Sequence, residues 1–262
     1  MQHNLFDYLD ASSGCPISTR PDPSDLDKPV EAVVYGNNDI LIEQVCRLYL
    51  NDGDAIADIT YGRGVFWKSV SQDIRNRVTG SDIITVPERP YDFRNLPYAD
   101  KSFDVVVLDP PYIHGPGKHH TDRAYQNAAT TAGMNHNAIR QLYVDGMKEA
   151  ARISRRHGWI KCKDQIDTGM QRWSHCELMV EALNMGMFVR DMFICIPTSQ
   201  TARGRWVNQY HARKPHSFLL ICEHISKKTE AQIKREGILD AMKPLDRPVP
   251  GDLNSSAIKG GQ

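Results

Sequence analysis

Asp109-Pro110-Pro111-Tyr112 sets a carboxylate, two locked backbone residues and an aromatic ring in consecutive positions. Proline fixes φ and has no N–H to donate, so the segment is stiff and its carbonyls are left to accept hydrogen bonds. The Asp109 carboxylate and the freed Pro110 carbonyl make two acceptors aimed at one spot, which suits an –NH2 group with two hydrogens. The Tyr112 ring adds a flat face for stacking a planar base. The competing reading is a proline-rich loop with Tyr112 as a packing residue. The run before it, Phe103-Asp104-Val105-Val106-Val107-Leu108, weighs against that reading. It is nearly continuous in β-branched and apolar residues, the mark of a strand buried on both faces. The tetrapeptide then leaves the end of a strand, where open α/β sheets bind their ligands.

A second group is Asp58-Ile59-Thr60-Tyr61-Gly62-Arg63-Gly64, after the short apolar run Ala55-Ile56-Ala57. Two glycines one residue apart let a backbone approach a ligand closely before a helix begins. An ordinary strand-to-helix turn has the same composition. The full Gly-x-Gly-x-x-Gly dinucleotide fingerprint is absent, because Trp67 stands where the third glycine would be. No Gly-Lys-Ser/Thr follows either, which argues against an NTPase P-loop. Asp82 ends the next expected strand, Val78 to Asp82, where a carboxylate can take the two hydroxyls of a ribose. Asp92 can accept from an adenine amino group, with Phe93 against the ring. Either acid alone reads equally as a loop or capping residue. Their order carries more: glycine turn, ribose acid, adenine acid, then an amine clamp, each about one βα unit apart.

These groups need a scaffold, and the rest of the chain supplies one. Ile40-Leu41-Ile42, Val45 and Leu48 have helical spacing, Val65 to Ile74 can form the helix after the glycine turn, and Ile139 to Ile153 and Cys176 to Leu183 are helical by pattern. Trp159 to Cys162, Asp191 to Ile196 and Ser217 to Cys222 read as further strands. Strands alternating with helices imply α/β architecture, a mostly parallel central sheet with helices on both faces. Residues 1–30, with four prolines among Ser, Asp and Gly, read as a flexible arm; residues 31–225 read as the folded domain, and residues 226–262 as a polar tail.

In this order the motifs resemble those of the amino-group DNA methyltransferases, the family that makes N6-methyladenine or N4-methylcytosine. The likeness spans about 190 residues, Val34 to Glu223. It implies a Rossmann-like S-adenosylmethionine-dependent methyltransferase fold, with S-adenosyl-L-methionine as cofactor and Asp109, Pro110, Pro111 and Tyr112 as the catalytic tetrapeptide. Asp58, Thr60, Gly62 and Gly64 then form the first cofactor loop, and Asp82 and Asp92 with Phe93 hold ribose and adenine. Tyr35 and Asn37, in Tyr35-Gly36-Asn37-Asn38, belong to the segment that closes over the methionine end. Two departures stand out: Ile59-Thr60-Tyr61 replaces the more usual Pro-Phe-x, and Arg63 is unusual between the glycines. The implied reaction is methylation of an exocyclic amino group of a flipped base in DNA, adenine N6 foremost. Cytosine N4, an RNA base, a protein glutamine, or a non-catalytic nucleic-acid-binding subunit are the alternatives.

The segment after the tetrapeptide, Ile113 to Asn137, is polar and contains Lys118, His119, His120 and Arg123; it reads as a lid over substrate. The adjacent histidines lack a carboxylate or cysteine companion at metal-ligand spacing, so no metal is expected. Arg203, Arg205, His211, Arg213, Lys214 and His216 surround Trp206 and Tyr210. Basic residues interleaved with aromatics suit a nucleic-acid backbone and unstacked bases, though a solvated loop has the same look. Trp173 and His175 are expected in a polar loop bordering the same cleft. Net charge is zero, 32 basic against 32 acidic residues, so any nucleic-acid surface must be a local patch. Six scattered cysteines with no Cys-x-x-Cys pair indicate reduced thiols and a cytoplasmic setting. No apolar run approaches the length of a membrane span.

Overall fold

The computed structural model describes residues 29–111, 135–198 and 210–227, together with Thr229, Ala231 and Arg235. In chain order the elements are β1 (Val33–Tyr35), α1 (Asn38–Tyr49), β2 (Ile56–Asp58), a 3-10 turn (Val65–Trp67), α2 (Gln72–Asn76), β3 (Val78–Gly80), β4 (Phe103–Leu108), α3 (His136–Ile153), β5 (Ser154–Cys162), β6 (Gln165–Asp167), β7 (Met170–Arg172), α4 (Ser174–Asn184), β8 (Met187–Ile196) and β9 (Ser217–His224). The main sheet has seven strands in the order β1-β8-β9-β5-β4-β2-β3. Every neighbouring pair is parallel except the two that β9 makes, with β5 and with β8. This is an open, doubly wound, Rossmann-like α/β sheet. β6 and β7 form a separate antiparallel hairpin, turned through Thr168 and Gly169, both at positive φ.

Strand residues alternate between two cores, as the period of two requires. Val106 and Leu108 of β4, Ile160 and Cys162 of β5, and Leu220 and Cys222 of β9 meet Ile139, Tyr143, Met147 and Ala150 of α3 and Leu178 and Ala182 of α4. Val105, Val107, Trp159, Leu219 and Ile221 face the other way, onto Leu41, Ile42, Val45 and Cys46 of α1 with Phe66, Trp67 and Val70. The spacing of 3 and 4 along α3 explains why that stretch is a helix: it yields one apolar stripe. Asn135 starts it, its side chain accepting from Ala138 N–H at 3.0 Å.

The single helix expected from Val65 to Ile74 is not formed. The chain makes one 3-10 turn, and Ser71 then caps a new short helix by accepting from Ile74 N–H. Phe66, Trp67 and Val70 are all buried, which pulls the backbone inward where a surface helix would have run. The polar loop expected at Trp173 and His175 is not formed: Trp173 precedes α4 and His175 lies in its first turn, directly after the β6–β7 hairpin. Contacts divide the chain at His224 and Ile225. In the second unit, Ser226 Oγ accepts from Thr229 N–H at 3.1 Å. Nearly all of the expected N-terminal arm lies outside the described residues. Among the described residues no helix is long and apolar enough to cross a membrane.

Candidate active site

β2 lies between β3 on one side and β4 on the other. The chain therefore winds outward from β2 to β3 and returns to β4, which makes the β2–β4 boundary a topological switch point. Asp58 is the last residue of β2, in register with Val107, and Asp109 follows the end of β4. The parallel pairing thus brings both carboxylates to the same crevice. A cavity of about 290 Å³ opens there. Its walls include Asp58, Thr60, Tyr61, Gly62, Arg63, Asp82, Asp92, Phe93, Arg94, Asp109, Pro111 and Leu142.

Asp58 is only 2% exposed. Its Oδ1 accepts from Thr60 N–H at 3.1 Å and its Oδ2 from the indole Nε1–H of Trp67 at 2.8 Å. Its carboxyl is raised to about 7: burial raises it most, the two donors draw it down, and the charges of Asp109 and Asp82 raise it. Thr60 ties the two motifs together, since its Oγ1 accepts from Asp109 N–H at 2.7 Å. Burial also raises the Asp109 carboxyl above its ordinary value, opposed by Lys161, whose Nζ lies 3.5 Å from Asp109 Oδ1.

Asp82 closes the next loop. Its Oδ1 accepts from Ile84 and Thr85 N–H, both at 2.8 Å, and its Oδ2 from Gly62 N–H at 3.3 Å. Thr85 Oγ1 donates to Gly62 C=O at 2.6 Å, so the loops after β2 and β3 are latched together. Asp92 is held by its neighbour: Arg94 Nε donates to both of its oxygens, at 2.9 and 3.1 Å, and holds its carboxyl below the usual range. Phe93 packs against the core, and a Cβ on Gly146 of α3 would stand 2.9 Å from its ring.

The cavity thus gathers Asp58, Thr60, Gly62, Asp82, Asp92, Phe93, Asp109 and Pro111. Others of the expected residues stand elsewhere. Gly64 does not line it; its left-handed φ of 66° and missing side chain make room for the Tyr61 ring, whose hydroxyl would lie 2.6 Å from a Cβ there. A Cβ on Gly80 of β3 would stand 2.5 Å from the same ring. Tyr35 is 71% exposed and Asn37 precedes α1 without capping it through its side chain; neither lines the cavity. Pro110 is buried behind the cavity wall.

Of the expected nucleic-acid residues, Arg213 is exposed, Lys214 donates to Ala212 C=O at 3.3 Å, and neither reaches the cavity. Tyr112, Lys118, Arg123, Arg203 and Arg205 lie outside the described residues. Trp173 follows the β6–β7 hairpin, edge-on to His175, which stacks on Phe218 at 4.2 Å and bonds Asp164 at 2.7 Å. Among the described residues no group of three or more His, Cys, Asp or Glu is placed to hold a metal.

Sequence reasoning missed Trp67, Lys161, Arg94 and Gly146. The signal for Lys161 was present: a lone lysine inside Trp159-Ile160-Lys161-Cys162 is a charge in an apolar strand, which requires a partner.

No family model and no curated protein matches the sequence. Among solved structures, the chain is similar to a SAM-dependent methyltransferase from Methanosarcina mazei, with 13% identity, 70% of this chain and 98% of that one covered, and a TM-score of 0.42. It is also similar to the magnesium protoporphyrin IX methyltransferase of Synechocystis with bound SAH, with 12% identity, 66% and 74% covered, and a TM-score of 0.41. A third similar structure is a Thermus thermophilus protein proposed as a DNA modification methylase, complexed with S-adenosyl-L-methionine, with 13% identity, 69% and 61% covered, and a TM-score of 0.34.

Proposed function

We propose that this chain is an S-adenosylmethionine-dependent methyltransferase that acts on an exocyclic amino nitrogen of a base in DNA, adenine N6 foremost. The observation that carries the reading is the position of Asp109 and Pro111 at the switch point, on the wall of the cavity that Asp58, Gly62 and Asp82 also line.

The donor set fits the cofactor. Asp58, Asp82 and Asp109 give the cavity an acidic lining against Arg63, while Arg94 is neutralised by Asp92; that balance suits a ligand bearing sulfonium and ammonium charges. Asp82 is the residue to hold ribose hydroxyls, and Phe93 offers its ring to adenine. When bound, S-adenosylmethionine supplies an electrophilic methyl whose bonding electron pair stays with sulfur. Asp109 and the Pro110 carbonyl accept the two hydrogens of the acceptor amine. They localise the nitrogen lone pair, which forms the new N–C bond, and the nitrogen sheds a proton afterwards. Tyr112 supplies the stacking face for the flipped base. Positioning accounts for most of the acceleration.

The test is incubation of the purified protein with methyl-labelled S-adenosylmethionine and, separately, duplex DNA, single-stranded DNA and structured RNA. Mass spectrometry of the digested nucleosides then identifies the product. N6-methyladenine from DNA is expected. N4-methylcytosine or a methylated RNA base corrects the acceptor, and cofactor binding without transfer to any of them overturns the reading.

A further inference from the structure

Lys161 is 1% exposed, inside a β5 segment whose neighbours Trp159, Ile160 and Cys162 are fully buried or nearly so. Its ammonium lies 3.5 Å from Asp109 Oδ1 and 5.8 Å from the centroid of the Phe66 ring. Taking an ammonium this far from water is costly, and the cost is offset only by close, well-placed partners. Asp109 is itself 15% exposed. Asp109 is among the residues that line the cavity and Lys161 is not.

We propose that Lys161 is a positioning residue for the acceptor amine: it ion-pairs with one oxygen of Asp109, holds that carboxylate ionised, and leaves Oδ2 to accept from the amine. The proposal rests on the methyl-transfer reading above. Its logic is protonic. A neutral Asp109 would carry a hydrogen of its own and donate it toward the nitrogen lone pair, which must stay free to bond the methyl carbon. Burial favours that neutral form, and Lys161 opposes it. Among the described residues, the other titratable groups near the pair include Asp58 of β2, Cys162 of the same strand, Cys195 of β8 and Lys163 beyond β5. Burial holds both thiols neutral.

The experiment compares wild type with Lys161→Met and Lys161→Arg in methyl transfer from S-adenosylmethionine to duplex DNA, from about pH 6 to about pH 9. Lys161→Met is expected to lose at least about tenfold in kcat near neutrality. It should regain about tenfold per pH unit as Asp109 ionises, with KM for S-adenosylmethionine unmoved. Lys161→Arg should restore most of the rate. A uniform loss at every pH, or no loss, overturns the proposal, because a packing role has no reason to follow Asp109 ionisation.

A second readout does not depend on activity. Carboxyl NMR titration, with Asp109→Asn assigning the signal, should place the Asp109 pKa at least about one unit higher in Lys161→Met than in wild type. An unmoved titration overturns the proposal even if transfer by the wild type is established. A moved titration with no transfer by the wild type overturns the functional reading, and the catalytic role with it. If Lys161→Met does not fold, Lys161→Gln keeps a donor without the charge, and the same two measurements decide.

Discussion

Replacing Trp67 by Phe removes one group whose effect is tied to a single buried carboxylate. The indole Nε1–H donates to Asp58 Oδ2 at 2.8 Å, and both side chains are 2% exposed. A hydrogen bond to a charged group contributes about 1.5–3 kcal/mol, and one to a neutral group about 0.5–1.5. The loss should therefore be about 1–2 kcal/mol larger when Asp58 is ionised than when it is protonated. The same difference corresponds to about one pKa unit, so the Asp58 carboxyl, at about 7 in the wild type, moves higher in the variant.

The sign follows from linkage. An acid with a raised folded pKa destabilises the fold progressively as pH rises from its unfolded value, 3.8, to its folded one, about 7. The wild type stops losing stability on this account near pH 7, and Trp67→Phe continues to lose it to about pH 8. The smaller ring adds a cavity cost that does not vary with pH. Urea unfolding at about pH 5.5 and about pH 8.5 should give a destabilisation about 1–2 kcal/mol greater at the higher pH, or roughly 2–8 °C of extra loss in Tm. Equal destabilisation at both pH values would refute the reasoning and leave Trp67 as packing alone.

Asp109→Ala should abolish methyl transfer while S-adenosylmethionine still binds; robust turnover would remove the amine-clamp mechanism. Thr60→Val deprives Asp109 N–H of its acceptor, so kcat should fall about tenfold, in line with about 1–3 kcal/mol for an unsatisfied buried donor. Unchanged kcat in steady-state assays would show that this latch is not needed for alignment. Asp82→Ala should weaken S-adenosylmethionine binding about ten- to a hundredfold by calorimetry, and unchanged affinity would place the ribose elsewhere. Gly80→Ala drives a methyl into the Tyr61 ring and should cost about 1–3 kcal/mol in thermal melts, with Tyr61→Ala restoring much of it. An equal loss in the double variant would mean that another neighbour is responsible.

β4 was legible residue for residue because burial on both faces leaves an apolar run broken only by Asp104, a pattern that loops and half-buried strands do not share. α3 was legible through the spacing of Ile139, Tyr143, Met147 and Ala150, and β9 through Ser217 to Cys222. The turn at Val65–Trp67 was not: Phe66, Trp67 and Val70 fit helical spacing, yet Ser71 restarts the helix and the three side chains point into one core. β1 and the β6–β7 hairpin are three-residue strands, too short for alternation to register.

Within the site, single residues at strand ends could be read because topology dictates where they go. Asp58 ends β2 and Asp109 follows β4, whereas Asp82, expected to end its strand, lies in the loop two residues beyond β3. Side-chain pairings could not: Lys161 with Asp109 depends on β4 and β5 becoming neighbours, and Trp67 with Asp58 on the inward 3-10 turn after β2. Gly64 shows the opposite error. Its glycine character was real, but a tyrosine three positions earlier uses the space that a ligand was expected to fill.

β9, residues Ser217 to His224, runs antiparallel between β5 and β8, and this governs the order in which the molecule can be assembled. Until those eight residues leave the ribosome, β5-β4-β2-β3 and β1-β8 are two separate ribbons, each with an open edge. Such edges are templates for wrong pairing, and non-local strand insertion is slow because loop closure precedes the contacts that reward it. Asp109 and Lys161 sit on the ribbon whose edge strand is β5, so its last neighbour arrives only with β9. A nascent chain halted before Ser217 would carry Asp109, Pro110 and Pro111 on an unfinished sheet, exposed to chaperones and proteases.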